Sequence, residues 1–212
     1  MLVEEIMKTD VITCPEDESI YYALQLMKNH KIRHLPIVNK NEELVGMIAE
    51  RNIKDALPSS FQKLTDETFF SKPVTQFMVT DLITGHRLDF VEDLAAMLYE
   101  HKIGCIPIVQ QKRVIGLVTE TDMLYTLVQL TGADQPSSVV EVKVENKAGT
   151  LASVAHLISE ENVNITSVLV YPNHHFKRLV IRVQTMDPTT IIKKLEEKGF
   201  SVVWPSFPGI AE

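Results

Sequence analysis

The chain has 212 residues, of which 45% are hydrophobic, so it can bury the core of one large domain or of two modest ones. Acidic side chains stand near the amino terminus where a signal peptide needs a basic segment, and no apolar run approaches the roughly 20 residues that span a bilayer, so we expect a cytoplasmic protein with no membrane partner. The net charge of −7, without any basic block, argues against a nucleic-acid partner.

The first 120 or so residues contain an internal repeat. A shift of 71 residues aligns residues 3–38 with residues 74–109, with twelve identities in 36 positions and no gap. The clearest match is "HKIRHLPIV" against "HKIGCIPIV". Such agreement predicts two copies of one structural unit that pack as an intrachain pseudo-twofold pair, because neither copy buries its sheet face alone.

The two copies, residues 1–58 and 74–131, have one predicted order: a short extended piece, a helix, two strands and a second helix. The apolar residues at helical spacing that predict the first helices are Ile20, Leu24 and Met27 in one copy, and Val91, Leu94 and Leu98 in the other. The runs "LPIV" and "LVGMIA", with their counterparts "IPIV" and "VIGLVT", are typical of strands. Pro36 and Pro107 cannot donate to a strand ladder, which predicts a strand start or a sheet edge at both.

These segments resemble tandem CBS domains, the Bateman module, over roughly residues 1–130. The strand with the h-P-h-V pattern, where h is hydrophobic, the glycine-bearing strand, and the ending "TETD" or its counterpart "AERN" occur in that order twice. The resemblance implies a regulatory sensor, not an enzyme, that binds an adenine nucleotide (AMP, ADP or ATP) in clefts between its repeats. It also implies a homodimer joined through the first helices.

In the second copy, Thr119 and Asp122 stand where a strand ends and a helix begins. The resemblance implies that Asp122 accepts hydrogen bonds from both ribose hydroxyls, and a helix N-terminus favours phosphate. The alternative is a capping box between the two side chains. The first copy has Ala49 and Asn52 at these positions, and we expect it to bind a nucleotide poorly, since an amide accepts through only one oxygen.

Arg33 and His34 of the first copy become Gly104 and Cys105 in the second, directly before the h-P-h-V strand. CBS pairs often place basic residues on a ligand phosphate here, so one copy would supply cations and the other the ribose acceptor for a single nucleotide. The alternative is that Arg33 and His34 cap a solvated turn between helix and strand. The further nucleotide contacts that the resemblance implies are Thr84, Cys105 and Ile106.

Beyond a breaker-rich boundary at residues 131–138, alternating strands and two helices predict the order β-α-β-β-α-β over residues 139–207. This order is a ferredoxin-like plan. The stretch "NKAGTLASVAHLISEENVNITSV" resembles the ACT domain, which implies a small-molecule ligand at Asn146 and Gly149, with a tight turn as the alternative. We therefore predict an α+β protein: a tandem CBS pair plus a C-terminal ferredoxin-like (ACT) domain.

The remaining reactive side chains do not form a recognisable catalytic or metal site. Cys14 and Cys105 stand in no CxxC pair, which predicts small buried hydrophobes. His174 and His175 have no third ligand nearby and are predicted to form an exposed hairpin tip. The sequence also has no nucleophile elbow, P-loop, dinucleotide fingerprint or metal triad, which argues against an enzyme.

The full order of repeats and tail, ending "VVWPSF", resembles the AcuB-type acetoin-utilisation proteins. That resemblance implies control of an unknown partner protein in carbon (acetoin or acetate) metabolism. Two other functions fit the sequence: a ligand-independent dimeric scaffold, and an amino-acid sensor that works through the ACT-like domain. Thr119 and Asp122 separate the first of these from a sensor, because a scaffold needs neither residue.

Overall fold

The computed structural model describes residues 1–55, 67–172 and 176–205. It has two compact units, which divide between Met123 and Leu124. Several predicted features lie outside the described residues: the end of the first copy at residue 58, most of the linker that follows it, His174 and His175, and the end of the C-terminal domain at residue 207.

The first unit holds the two copies, each with the predicted helix, antiparallel strand pair and second helix. The first copy has β1 (Cys14–Pro15), α1 (Ile20–His30), β2 (His34–Val38), β3 (Leu44–Ala49) and α2 (Glu50–Asp55). After α3 (Glu67–Phe70), the second copy has α4 (Val91–His101), β4 (Cys105–Gln110), β5 (Arg113–Thr119) and α5 (Glu120–Thr131), and α5 crosses the division between the units. Short 3₁₀ helices at Val3–Glu5 and Val74–Gln76 precede the two copies and were not predicted.

Both first helices bury the predicted apolar face. Ile20 and Met27 are buried on α1, whose first turn is capped by the Ser19 hydroxyl accepting the Tyr22 N–H at 3.2 Å. The three predicted core positions of α4 are buried as well: Val91, Leu94 and Leu98. The periodicity of the sequence was therefore sufficient to orient both helices.

The prediction for Pro36 was wrong, because this residue lies inside β2, the central strand of the order β1-β2-β3. Its cross-strand partner Met47 directs its own backbone N–H and C=O to Val79, both at 2.9 Å. The β2–β3 ladder therefore needs no N–H at this position, and a proline fits. Pro107 lies in β4, which belongs to the two-stranded sheet β4-β5.

The first residues of each copy pack on the other copy. Val3, near the chain start, is fully buried in the core of the second copy, and Lys8 bridges to Leu117 of β5. In the same way Val74 is fully buried in the core of the first copy, and Val79 bridges to Met47 of β3. This exchange brings residues from the start of the chain to the second copy.

The second unit has the predicted order β-α-β-β-α-β. Its elements are β6 (Ser138–Glu145), α6 (Thr150–Ser159), β7 (Ile165–Pro172), β8 (Phe176–Val183), α7 (Thr189–Glu197) and β9 (Ser201–Trp204). The sheet has the antiparallel order β7-β8-β6-β9, and the apolar faces of α6 and α7 pack into its core. The ferredoxin-like prediction is confirmed.

Candidate functional site

A cleft of about 460 Å³ opens between the two copies of the first unit, and we call it the large cleft. Its walls come from β2, α2 and the turn before β2 on one side, and from β5 and the start of α5 on the other. The charged residues that line it are five cations, Lys8, Lys31, Arg33, Arg51 and Lys54, and two acids, Glu50 and Glu120. This excess of positive charge favours an anionic ligand.

Thr119 and Asp122 meet at the junction of β5 and α5 as a reciprocal cap. The Thr119 N–H and hydroxyl both donate to Asp122 Oδ2, at 2.9 and 2.6 Å, and the Asp122 N–H donates back to the Thr119 hydroxyl at 3.3 Å. The capping box weighed from the sequence is therefore present. The cap also holds the carboxylate in one orientation beside the large cleft, which Thr119 lines.

Lys8 is a further candidate site residue, which the sequence alone did not indicate. Its ammonium lies 2.8 Å from Asp122 Oδ1, and the lysine side chain is 64% exposed whereas that of Asp122 is only 13% exposed. Burial of the carboxyl raises its pKa, but hydrogen bonds from Lys8 and Thr119 outweigh burial, so the pKa of Asp122 lies below its usual value of 3.8. The repeat did contain a signal, because Lys8 aligns with Val79 between two pairs of identical residues.

His34 lies against the backbone of Gly104, its neighbour across the pseudo-twofold. A side-chain carbon built on Gly104 would stand 3.0 Å from His34 Nε2, so the glycine leaves the room that the imidazole fills. Burial lowers the pKa of His34 below its usual value of 6.5, and the positive charges of Arg33 and Arg51 lower it further, while Glu120 opposes them. The glycine that stands in the second copy where the first has Arg33 thus has a structural reason.

The cations of the large cleft come mainly from the first copy. Lys31, Arg33 and Arg51 are exposed and form no ion pair with any other described residue, whereas Lys54 pairs with Glu50 at 2.8 Å. The structure thus brings the predicted Arg33 and His34 to the same cleft as Thr119. Arginine side chains in such a position can donate paired hydrogen bonds to phosphate oxygens.

A smaller cleft of about 120 Å³ lies at the corresponding position of the first copy. Ala49, Asn52 and Val79 line it in place of the three residues of the second copy, together with Asp81. The Asn52 Oδ1 accepts the Ala49 N–H at 2.8 Å, so the amide reproduces half of the cap. The three side chains at these positions are uncharged, so none replaces the charge of Asp122 or Lys8, although Asp81 and Arg51 bring charge to the cleft from other positions.

The three further contacts that the sequence implied lie in different places. Thr84 is exposed just before Gly85, whose backbone bridges to β4. Cys105 is buried and lines the small cleft. The Ile106 side chain is fully buried in the core of the second copy, which leaves its backbone as the part that can face a ligand.

In the second unit, a cleft of about 570 Å³ opens beside the loop between β6 and α6. Gly149 lines it and takes the predicted positive φ, 87°, at the start of α6. Asn146 is exposed, and its side chain makes no hydrogen bond with any other described residue. The turn is therefore built by the glycine and by the Thr150 hydroxyl, which donates to Lys147 O at 3.0 Å.

Other reactive groups are accounted for within the described residues. Burial raises the pKa of both thiols, Cys14 and Cys105, to about 12, so each is held as an unreactive thiol. In residues 1–55, 67–172 and 176–205 no group of three or more His, Cys, Asp or Glu side chains is arranged to hold a metal ion. Over the same residues, no helix combines the length and the apolar character that crossing a membrane requires.

Two protein families match most of the chain. Residues 3–59 and 74–129 match the CBS domain, and residues 138–200 match the ACT domain. A solved structure named as an acetoin utilization protein (AcuB) from Vibrio cholerae is 28% identical, aligns with 65% of this chain and 98% of its own, and has a TM-score of 0.55. The CBS domain pair of protein MJ0100, solved with 5′-methylthioadenosine and S-adenosyl-L-methionine, is 29% identical over 64% of this chain and 98% of its own, with a TM-score of 0.53.

Sequence relatives differ in how much of their length is shared. The CBS domain-containing protein YhcV of Bacillus subtilis is 29% identical over 68% of this chain and 96% of its own. L-Aspartate semialdehyde sulfurtransferase of Methanocaldococcus jannaschii is 31% identical over 58% of this chain but only 22% of its own length. The chain therefore spans less than a quarter of that enzyme.

Proposed function

Because this chain belongs to the family of proteins with paired CBS domains, here followed by an ACT domain, we propose that it is a non-enzymatic regulatory protein that senses an adenine nucleotide. The large cleft carries the proposal, because its two sides offer different chemistry. The first copy supplies Arg33 and Arg51, and the second supplies Thr119 with Asp122 beside it. The phosphate and the ribose of one nucleotide match these two sides.

In the proposed complex, Asp122 accepts the ribose hydroxyls, and Arg33 and His34 face the phosphate. The complex of the MJ0100 pair with two adenosine compounds supports the adenosine part of the ligand. The cations of the large cleft support the phosphate part. Each chain then binds one nucleotide well, because the small cleft has Asn52 in place of Asp122 and a volume of only about 120 Å³.

Calorimetric titration of AMP, ADP, ATP and S-adenosylmethionine into the full chain tests this proposal. The sharpest variant is Asp122→Asn, because the amide oxygen can still accept the Thr119 N–H, as Asn52 does for Ala49, while the charge is removed. We expect binding by the wild type and a clear loss in the variant, with Asn52→Ala as the matched control that changes little. If the Kd of all four compounds were above about 1 mM, the chain would not act as a nucleotide sensor, and the scaffold function would replace the proposed one.

The bound nucleotide should not be hydrolysed. Contacts to ribose and phosphate without a positioned nucleophile or an acidic pair for metal give binding rather than turnover. Incubation of ATP with the protein and Mg²⁺ should therefore release no ADP above the buffer blank. Release that depended on Asp122 would reverse this part of the proposal.

We also propose a homodimer, in which CBS helices and ACT sheets pair with their copies. Exposed aromatic side chains on the helices of the first unit support this: Tyr21, Tyr22 and Tyr99 are 58%, 41% and 85% exposed. Such side chains are common where one protein surface contacts another. Light scattering at micromolar concentration should give the dimer mass, and a monomer would refute the assignment.

The regulated partner, on this proposal, is a protein of acetoin or acetate metabolism. The likeness to the Vibrio cholerae protein supports this link. A strain that lacks the protein should grow poorly on acetoin, and wild type but not Asp122→Asn should restore growth. Equal rescue by both would separate the metabolic role from the nucleotide site.

The cleft beside Gly149 favours a second candidate function, an amino-acid sensor in the ACT domain. An amino acid there would meet the backbone N–H groups at the start of α6. A thermal-shift screen of the common amino acids should reveal a stabilising ligand whose effect persists in Asp122→Asn. A screen without any stabilising amino acid would leave the nucleotide as the single proposed effector.

A further inference from the structure

The Lys8 ammonium occupies an oxygen of Asp122, the carboxylate that would accept the ribose hydroxyls. The residue lies at the start of the first copy, but its backbone pairs with Leu117 of β5 in the second copy in both directions, at 2.9 and 3.0 Å. Met7 beside it fills the space above Gly116, where a built side-chain carbon would stand 2.6 Å from the Met7 sulfur. The lysine backbone is therefore fixed on the second copy, and only its side chain is free to move.

The carboxylate of Asp122 has little accepting capacity left while Lys8 is in place. Oδ2 takes the N–H and hydroxyl of Thr119, and Oδ1 takes the ammonium of Lys8 at 2.8 Å. A carboxylate has about four lone-pair positions, so two ribose hydroxyls compete directly with these donors. The cap is short and partly buried, whereas the lysine side chain is 64% exposed, so the lysine is the donor that a ligand displaces.

The displaced ammonium stays in the large cleft, because Lys8 and Leu117 both line it. Its free energy then depends on what the ligand offers. A phosphate on the ligand gives the ammonium a new partner, an uncharged ligand leaves it without one, and a cationic ligand repels it. The first copy has Val79 at this position, so this dependence on ligand charge is confined to the second copy.

We propose that Lys8 is a specificity-determining residue that makes the nucleotide site select adenosine ligands with a negatively charged 5′ group over uncharged or cationic ones. The inference rests on the proposed function, since it assumes that the ribose binds Asp122. The site should therefore prefer AMP to 5′-methylthioadenosine and S-adenosylmethionine, whereas a site suited to those two compounds would show the reverse order. An AMP-like nucleotide is the simplest ligand with the required charge.

The test compares AMP with 5′-methylthioadenosine by calorimetry on the full chain, for wild type and Lys8→Met. Methionine keeps most of the apolar stem and removes the charge. We expect the Kd for AMP to rise about fivefold or more, the size of one partly exposed ion pair, and the Kd for 5′-methylthioadenosine to stay level or fall. These opposite responses are the signature of selection, because a merely structural role would weaken both ligands together.

Two further variants keep the result interpretable. Lys8→Arg retains the charge and should keep the preference for AMP, while Lys28→Met removes an exposed charge that does not line the large cleft and should change neither Kd. Suppose that wild type binds AMP but that Lys8→Met weakens the binding of both ligands equally, or of neither. The proposed role of Lys8 is then wrong, and the proposed function stands. If wild type binds no adenosine compound, the proposed function falls together with this inference.

Discussion

The large and the small cleft occupy equivalent positions in two copies of one fold, yet they differ in charge and in volume. The large cleft has about 460 Å³ and an excess of cations, and the small one about 120 Å³ with Asp81 in its wall. Three equivalent positions change together: Lys8, Thr119 and Asp122 become Val79, Ala49 and Asn52. One pseudo-symmetric fold thus carries two unlike clefts, in which the charged pair Lys8 and Asp122 is replaced by the uncharged Val79 and Asn52.

Both copies retain the helix cap at these positions, so the cap can be distinguished from the features proposed to bind a ligand. Asn52 and Asp122 each accept the N–H of the residue directly before their own helix, Ala49 at 2.8 Å and Thr119 at 2.9 Å. A cap therefore needs only a side-chain oxygen, and the first copy has kept that much. The charge, the hydroxyl and the lysine are what the second copy has in addition.

The largest expected difference between the clefts is seen on truncating the two capping residues. Asp122→Ala should weaken nucleotide binding by about 1.5 to 3 kcal/mol, the usual size for hydrogen bonds to a charged group. Asn52→Ala loses the equivalent cap, so both variants should be less stable without ligand by about 1 kcal/mol. Nucleotide-induced thermal protection should then disappear in the Asp122 variant alone, and equal loss in both would contradict the comparison.

A smaller effect is expected at Gly104, where the second copy makes room for His34. In Gly104→Ala the new methyl group would stand 3.0 Å from His34 Nε2, so the half-buried ring must shift by a few tenths of an ångström. We expect a loss of about 1 kcal/mol in unfolding free energy, measured by urea denaturation. The matched change Arg33→Ala, at the equivalent position of the first copy, should alter stability by less than about 0.5 kcal/mol but should still weaken nucleotide binding.

The two copies should also contribute differently to the pH dependence of stability, because His34 of the first aligns with Cys105 of the second. The pKa of His34 is below 6.5 in the folded chain, so on acidification the unfolded chain takes up the proton first and the folded state loses stability below about pH 6.5. Burial raises the pKa of Cys105 to about 12, so this thiol does not titrate in the pH range of His34. Asp122 loses its stabilising charge only below pH 3.8. His34→Gln should therefore lose less thermal stability than wild type between pH 7 and about 5.5, and parallel curves would exclude this role.

The smallest expected effect is on stoichiometry after the three residues are transplanted. The triple variant Val79→Lys, Ala49→Thr and Asn52→Asp gives the small cleft the side chains of the large one. We nevertheless expect one nucleotide per chain, because about 120 Å³ lies below the roughly 300 Å³ of ordinary ligand pockets. A second bound nucleotide in calorimetry would show that the three side chains, rather than volume, make the difference.

The sequence alone determined the two copies, the faces of their helices and the order of elements in the second unit. These features depend on periodicity and on local chemistry: the apolar spacing of α1 and α4 is readable along the chain, as is the spacing of Thr119 and Asp122. Gly149 was predictable for a similar reason, since few residues other than glycine take a φ of 87° without strain. The error at Pro36 arose because a proline fits inside a strand where the ladder needs no N–H, and the pairing of Met47 with Val79 that leaves such a position is not readable along the chain.

Only the tertiary structure decided which residues meet. Lys8 and Asp122 are far apart in the chain, and they pair because the first residues pack on the second copy rather than on the copy they precede. The same exchange could not be read from periodicity, since a pattern of apolar residues fixes the face that is buried but not its partner. His34 against Gly104 is a second case, because the need for a glycine at this position follows only from the imidazole that packs against it.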